Sequence, residues 1–247
     1  MKKIYTYHSQ EEMISSIACQ IISIGSAAIE HRGQFSIALS GGNTPKPLYE
    51  ILAGAKAESL DWTNVHFFWG DERCVPPDHP DSNFNQAKQV LLTPRSIKGE
   101  NIHRIKAELK PKEAARLYQE EILSSFKEII PRFDLILLGM GSDGHTASLF
   151  PGTDLVKGIP TVQNRLVAAN WVPKLDAFRI TFTHHLINAA HNVFFLVGGK
   201  DKAKVLKSVL EGPLNPELYP SQLIDPEIGD LTWHIDHEAG AELSNDH

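Results

Sequence analysis

Four apolar runs in this 247-residue chain each end in glycine: FSIALSGG (35–42), VHFFWG (65–70), FDLILLGMG (133–141) and NVFFLVGG (192–199). Their hydrophobic residues are continuous rather than alternating, the pattern of strands buried on both faces. Such strands belong to parallel sheets covered on each side by helical crossovers, so this feature narrows the fold to α/β. Helical patterns fall between the runs. SQEEMISSIACQIISIGSAAIE (9–30) pairs Ser9 with Glu12 at capping-box spacing and places Ile14, Ile17, Ala18, Ile21, Ile24 and Ala28 on one face. TPKPLYEIL (44–52) reads as a helix with Thr44 as N-cap and Pro45 at the first helical position. Further helices are expected over about 83–92, 112–126 and 201–212, and further strands at NIHRI (101–105), RLVAANWV (165–172), RITFT (179–183) and LTWHID (231–236). DERCVPPDHPDSN (71–83) reads as a long loop. The expectation is a three-layer, doubly wound, mostly parallel sheet in a single α/β domain over 1–236, with 237–247 as a flexible C-terminal tail.

The formal charge of −6 gives no general attraction to nucleic acid or anionic membrane, so neither is expected as a partner. Cys19 and Cys74 are the only cysteines, too few for a disulfide framework, which suits a reducing, cytoplasmic setting. The two lysines after Met1 resemble a signal-peptide start, but Glu11 and Glu12 interrupt the stretch that would form its apolar core. No uninterrupted apolar run approaches the roughly 20 residues that span a bilayer.

In doubly wound sheets ligands bind outside the carboxyl ends of the strands. The turns there therefore carry the candidate chemistry. In SGGNTP (40–45), Gly41 and Gly42 permit close backbone approach, and Gly42, Asn43 and Thr44 can offer N–H groups to an anion; the same glycines also suit a plain tight turn. In GGKDKA (198–203), Lys200 lies at the turn, whereas Lys202, Lys204 and Lys207 read as a solvated helix face. Arg179 opens a strand and suits an ion pair or a surface position equally well. Asp71, Glu72 and Arg73 follow a buried strand directly, which requires that they pair internally or meet a ligand.

The turn GMGSDGHTAS (139–148) fits G-x-G-x-x-G through Gly139, Gly141 and Gly144, the dinucleotide fingerprint. That reading needs an acidic residue about 20 positions on; Asp154 comes too early, and a helix begun by TASLF would be cut short by Pro151 and Gly152. The G-x-S-x-G elbow of serine hydrolases is absent as well. His145, able to exchange a proton near neutral pH, suits a catalytic role and a structural one equally well, and Asp143 could fix its tautomer or favour its protonated form. His184 and His185 would face opposite ways on an extended strand, His234 and His237 have an odd spacing for one face, and no H-E-x-x-H occurs, so no metal is expected.

ALSGGNTPKPLYE (38–50), VHFFWGDERCVPPDHPDSNF (65–84), DLILLGMGSDGHTASLFPGT (134–153), RITFTHHLINAAHNVFFLVGGKDKA (179–203) and YPSQLI (219–224) together resemble the 6-phosphogluconolactonases. These lie within a wider superfamily that includes glucosamine-6-phosphate isomerase/deaminase. The resemblance implies cofactor-free hydrolysis of 6-phospho-D-glucono-1,5-lactone, a phosphorylated sugar lactone, in the oxidative pentose phosphate pathway. It implies that His145 activates water, that Asp143 supports it and that Arg73 holds the reacting end. It also implies that phosphate rests on Gly41, Gly42, Asn43 and Thr44 with Lys200 and Arg179. The deaminases carry a catalytic glutamate shortly after the histidine, where this chain has Phe150, which cannot transfer a proton. A sugar-phosphate sensor is the non-enzymatic alternative, but no helix-turn-helix segment accompanies the domain.

Overall fold

The computed structural model describes residues 1–54, 57–126, 130–157 and 165–244. Six strands, β1 (Lys2–Tyr7), β2 (Phe35–Leu39), β3 (Val65–Trp69), β5 (Leu135–Gly139), β8 (Asn192–Val197) and β9 (Asp230–Asp236), form one sheet in the order β1-β9-β8-β5-β2-β3. Every neighbouring pair is parallel. β2 is buried at all five positions, as its unbroken apolar sequence requires. The chain moves outward from β2 to β3, returns to the other side of β2 as β5, and continues through β8 to β9. The winding thus reverses between β2 and β5, which opens a crevice at their carboxyl ends.

The helices α1 (Gln10–Arg32), α2 (Lys46–Ala53), α3 (Asn83–Ala87), α4 (Pro111–Ser125), α5 (His184–Asn188) and α6 (Ala203–Leu210) complete the layers. In α1, Ser9 accepts from the N–H of Glu12 at 3.1 Å, and Gly33, at φ 78°, ends the helix with its N–H on Ile29 O. This 23-residue helix is long and apolar enough to cross a membrane, contrary to the expectation from uninterrupted runs. Here Met13, Ile14, Ile17, Ala18, Ile21 and Ala28 are buried in the core.

A second, antiparallel sheet has the order β4-β7-β6, formed by β4 (Asp71–Arg73), β6 (Val167–Val172) and β7 (Ala177–Phe182). The start of the expected loop at 71–83 is therefore a strand. Gly70 joins the two sheets: its N–H bonds Leu39 O at 3.0 Å, and its carbonyl accepts from Phe182 N at 2.8 Å.

Other local expectations are corrected. NIHRI makes a single bridge, Phe67 to Ile102, because the chain enters it from a 3-10 turn and pairs only once. Thr44 does not cap α2; Pro45 stands in that place without a side-chain bond. His184 and His185 lie in α5, not on a strand, and α3 passes into a π-helical turn at Lys88–Leu92. Of the tail expected at 237–247, residues 245–247 lie outside the described residues, and 237–244 make contacts with the domain. Ala239 is buried, Lys207 Nζ bonds Glu242 O at 2.8 Å, and Ser244 bonds Glu211.

β1 and β9 also enclose His234. It is fully buried, with Nδ1 2.9 Å from Tyr7 Oη and no partner for Nε2 among the described residues. Burial pulls its pKa from 6.5 down to about 4. The unfolded chain therefore takes up this proton at higher pH than the folded one. The contribution is complete above pH 6.5 and is lost as pH falls toward 4. Urea unfolding at pH 7 and pH 5 should show wild type losing about 2 kcal/mol more than His234→Gln over that interval. Parallel losses in the two proteins would contradict this.

Candidate active site

The crevice predicted by the strand order is a cleft of about 640 Å³, lined by the turns after β2, β5 and β8, by β4 and β7, and by the tip of the β6–β7 hairpin. The turn after β5 brings the imidazole into it. Gly141 N bonds His145 O at 2.9 Å, Gly144 N bonds Gly141 O at 3.0 Å, and Thr146 Oγ1 donates to Gly139 O at 2.8 Å. This folds the histidine ring back over Gly141. A Cβ there would lie 2.1 Å from both Cε1 and Nδ1 of His145, so only glycine leaves room. Gly144 takes φ 78°, a left-handed conformation that suits glycine.

Asp143 Oδ1 lies 2.5 Å from His145 Nδ1, and Lys174 Nζ donates to Asp143 Oδ2 at 3.0 Å. The side-chain bond from His145, the largest cause, with the Lys174 bond and the His145 N–H adding to it, holds the Asp143 carboxyl far below its usual range despite partial burial. An ionised carboxylate accepts only, so Nδ1 carries the proton and Nε2 is left as the acceptor nitrogen. Phe150, at the place of the deaminases' glutamate, stacks on the imidazole with ring centroids 4.0 Å apart and planes at 19°.

Across the cleft, Ser40 to Pro45 lead into α2. Among the described residues, none accepts from the N–H groups of Asn43 or Thr44. Because Pro45 takes the cap position, the Thr44 hydroxyl is not spent on the helix. Gly41 is required here by packing: a Cβ would lie 1.7 Å from Asn83 Oδ1.

Arg73 and Arg179 are opposite one another in the β4–β7 ladder, and both line the cleft. Each donates to a main-chain carbonyl, Arg73 to Asp81 O at 2.6 Å and Arg179 to Phe178 O at 3.0 Å. Burial, and then the neighbouring Arg73, disfavour the charged form of Arg179. Like charges directly opposite in a ladder repel, and an anion between them relieves the repulsion.

Among the described residues, Glu72 makes no ion pair with the Arg73 guanidinium. It is buried and accepts from the N–H groups of Arg73, Asn83 and Phe84 and from Ser82 Oγ at 2.8–3.0 Å. Burial still pushes its carboxyl up. Its work is to fasten the start of α3 beneath the cleft. Asp71, which does line the cleft, accepts from Ser148 Oγ at 2.6 Å.

Lys200 is exposed and is not among the residues lining the cleft, whereas Lys202 is. Residues 200–202 form a 3-10 turn after Gly199, so the lysine two places on comes round to the cleft side. The residues that sequence reasoning missed are Lys174, brought 31 positions to Asp143, and Ser221, whose N–H and Oγ both bond Gly144 O, at 3.0 and 2.9 Å. The YPSQLI segment was visible as a motif, and its work is to clamp the histidine turn from behind.

Residues 8–233 match the family described as glucosamine-6-phosphate isomerases/6-phosphogluconolactonase. The chain is 41% identical over 247 residues to a 6-phosphogluconolactonase of Nostoc sp., covering 98% of this chain and 99% of that one. It is 46% identical over 220 residues to one of Synechocystis sp., covering 87% and 88%. The solved 6-phosphogluconolactonase of Trypanosoma brucei superposes with a TM-score of 0.86 at 28% identity, covering 99% of each chain. That of Thermotoga maritima does so with a TM-score of 0.81 at 30% identity, covering 96% of this chain and 100% of the other. The mostly parallel sheet is shared with these solved structures, and the chain belongs to the glucosamine-6-phosphate isomerase/6-phosphogluconolactonase family.

Proposed function

We propose that this cleft hydrolyses 6-phospho-D-glucono-1,5-lactone to 6-phospho-D-gluconate, with His145 as general base. The observation that supports it most is that the His145–Asp143 pair shares one cleft with the Gly41–Thr44 turn, Arg179 and Lys202. A phosphate fixed on the turn and the two cations sets the lactone carbonyl before the imidazole, which supplies orientation as well as affinity. Water held by Nε2 adds to C1 and gives its proton to the ring. The tetrahedral oxyanion then collapses, the C1–ring oxygen bond breaks, and the imidazolium returns the proton to the departing ring oxygen. Asp143 steadies the imidazolium between the two transfers. A δ-lactone is an activated ester, so a positioned base worth about 10²–10⁴-fold is adequate without a covalent intermediate. The family resemblance implied Arg73 at the reacting end and Arg179 at the phosphate. As ladder neighbours they are now proposed to serve as one positive wall facing the substrate's anionic charge.

Isomerisation with deamination is disfavoured by Phe150: the ring stacked on His145 offers no proton-transfer group. A cytosolic location without nucleic-acid or membrane partners belongs to the same proposal. Lactone generated enzymatically in the assay should open faster than its spontaneous rate on adding the protein, and glucosamine 6-phosphate should yield no ammonia. The reverse pair of results would overturn the assignment.

The phosphate site has its own expectation. Lys202→Ala should raise KM for the phosphorylated lactone by about 10–100-fold, the worth of one charge-assisted hydrogen bond, and leave plain gluconolactone nearly unaffected. Lys200→Ala should change neither. Equal effects of Lys202→Ala on both lactones would remove that lysine from the phosphate site.

A further inference from the structure

We propose that Lys174 is a positioning residue: it holds one oxygen of Asp143, aims the other at the His145 ring, and keeps that imidazole ready to accept a proton. The inference rests on His145 being the base. Lys174 Nζ takes Asp143 Oδ2 at 3.0 Å while His145 Nδ1 takes Oδ1 at 2.5 Å, so the two donors divide one carboxylate. With the lysine removed, the whole carboxylate charge would face the ring and hold an imidazolium more strongly.

The arm carrying Lys174 is built for placement. The hairpin tip closes through Asp176 N on Pro173 O at 3.2 Å, and Asp176 adopts φ 47°, a left-handed conformation that costs a non-glycine residue energy. Below the tip, Trp171 and Phe178 pack edge to face with centroids 5.0 Å apart. Asn170 Nδ2 donates to Ser148 O at 2.8 Å, tying the hairpin to the loop that follows His145. The lysine side chain is itself 69% exposed, so the pair adds little to stability and its effect is expected in titration.

The other charged groups around this cleft are Asp71 and Arg73 on β4, Arg179 on β7, and Asp201 and Lys202 after β8. Lys204 of α6 lines the adjoining hollow together with Lys174. Among the described residues only His145 and Lys174 bond to the Asp143 carboxylate.

The test compares Lys174→Met, Lys174→Arg and Lys204→Met in the full chain. The ring Cε1–H signal of His145 is titrated by NMR, and kcat/KM for the phosphorylated lactone is followed against pH. In Lys174→Met the ring midpoint and the acid limb of the rate profile should both move up by about 0.5 unit, with KM at the plateau changed less than about twofold. Arginine at 174 should restore both. Lys204→Met, which removes a nearby charge without touching Asp143, should move them clearly less. An unmoved midpoint in Lys174→Met, or a shift of the same size in Lys204→Met, overturns the proposal. A ring midpoint that moves while the rate profile stays fixed would leave the coupling standing and remove His145 as base.

Discussion

His145→Ala should lower kcat for the phosphorylated lactone by about 10²–10⁴-fold, the usual contribution of a positioned general base, and leave the fold intact. The loss is catalytic because the turn does not depend on the ring. Its bonds run between main-chain atoms, Gly141 N to His145 O and Gly144 N to Gly141 O, and Ser221 clamps Gly144 O from outside the cleft. Asp143 keeps Lys174 as partner when the imidazole is gone, and it is partly exposed, so no buried unpaired charge is left. Stability should fall by no more than an average point substitution allows, about 1 kcal/mol. Single-turnover rates with melting curves on the same preparation check both halves. Wild-type turnover in a folded His145→Ala protein would remove the residue from the chemistry.

Gly141→Ala is the second large effect, and it reaches the same ring without altering it. The added methyl would stand 2.1 Å from Nδ1 and Cε1 of His145 and 2.8 Å from Asp143 Oδ1. No such contact survives, so the imidazole must swing off the carboxylate and out of line with the substrate. A misplacement of about 1 Å at a reacting group costs on the order of 10²-fold, which sets the expected loss in kcat. The low-field Nδ1–H signal of wild type should vanish in the variant. Gly42→Ala is the contrasting case. Nothing lies within 4 Å of its Cβ position, but φ is 102°. Its penalty is backbone strain, felt in the melting curve as well as in phosphate affinity. Full activity in Gly141→Ala with the Nδ1–H signal retained would show that the ring has room the structure does not give it.

What could be read from the sequence follows from the range of the interactions involved. The buried strands were legible because burial on both faces writes itself as an unbroken apolar run, as in residues 35–39 and 135–138. β1 was missed because an edge strand needs no such run: its positions are largely exposed, and it is a strand by virtue of pairing with β9. Asp71–Arg73 read as loop because its strand character comes from a ladder to residues more than 100 positions away. Asp143 and His145 were legible because two residues in one glycine turn carry their geometry locally. Lys202 rather than Lys200 lines the cleft, a choice made by the path of the short turn between Gly199 and α6 that residue types alone do not reveal. Lys174 and Ser221 were beyond local reasoning: each acts at a distance in sequence, through a hairpin tip and a returning loop that only tertiary packing brings to the histidine turn.

The central claim is one of orientation, that phosphate and carbonyl of a single sugar sit at opposite sides of this cleft. A crystal structure with 6-phosphogluconate bound tests it most directly. The phosphate should accept from the Asn43 and Thr44 N–H groups and from Lys202 and Arg179, with the C1 carboxylate within hydrogen-bond reach of His145 Nε2. A product bound the other way round, or held away from both the glycine turn and the imidazole, would contradict it.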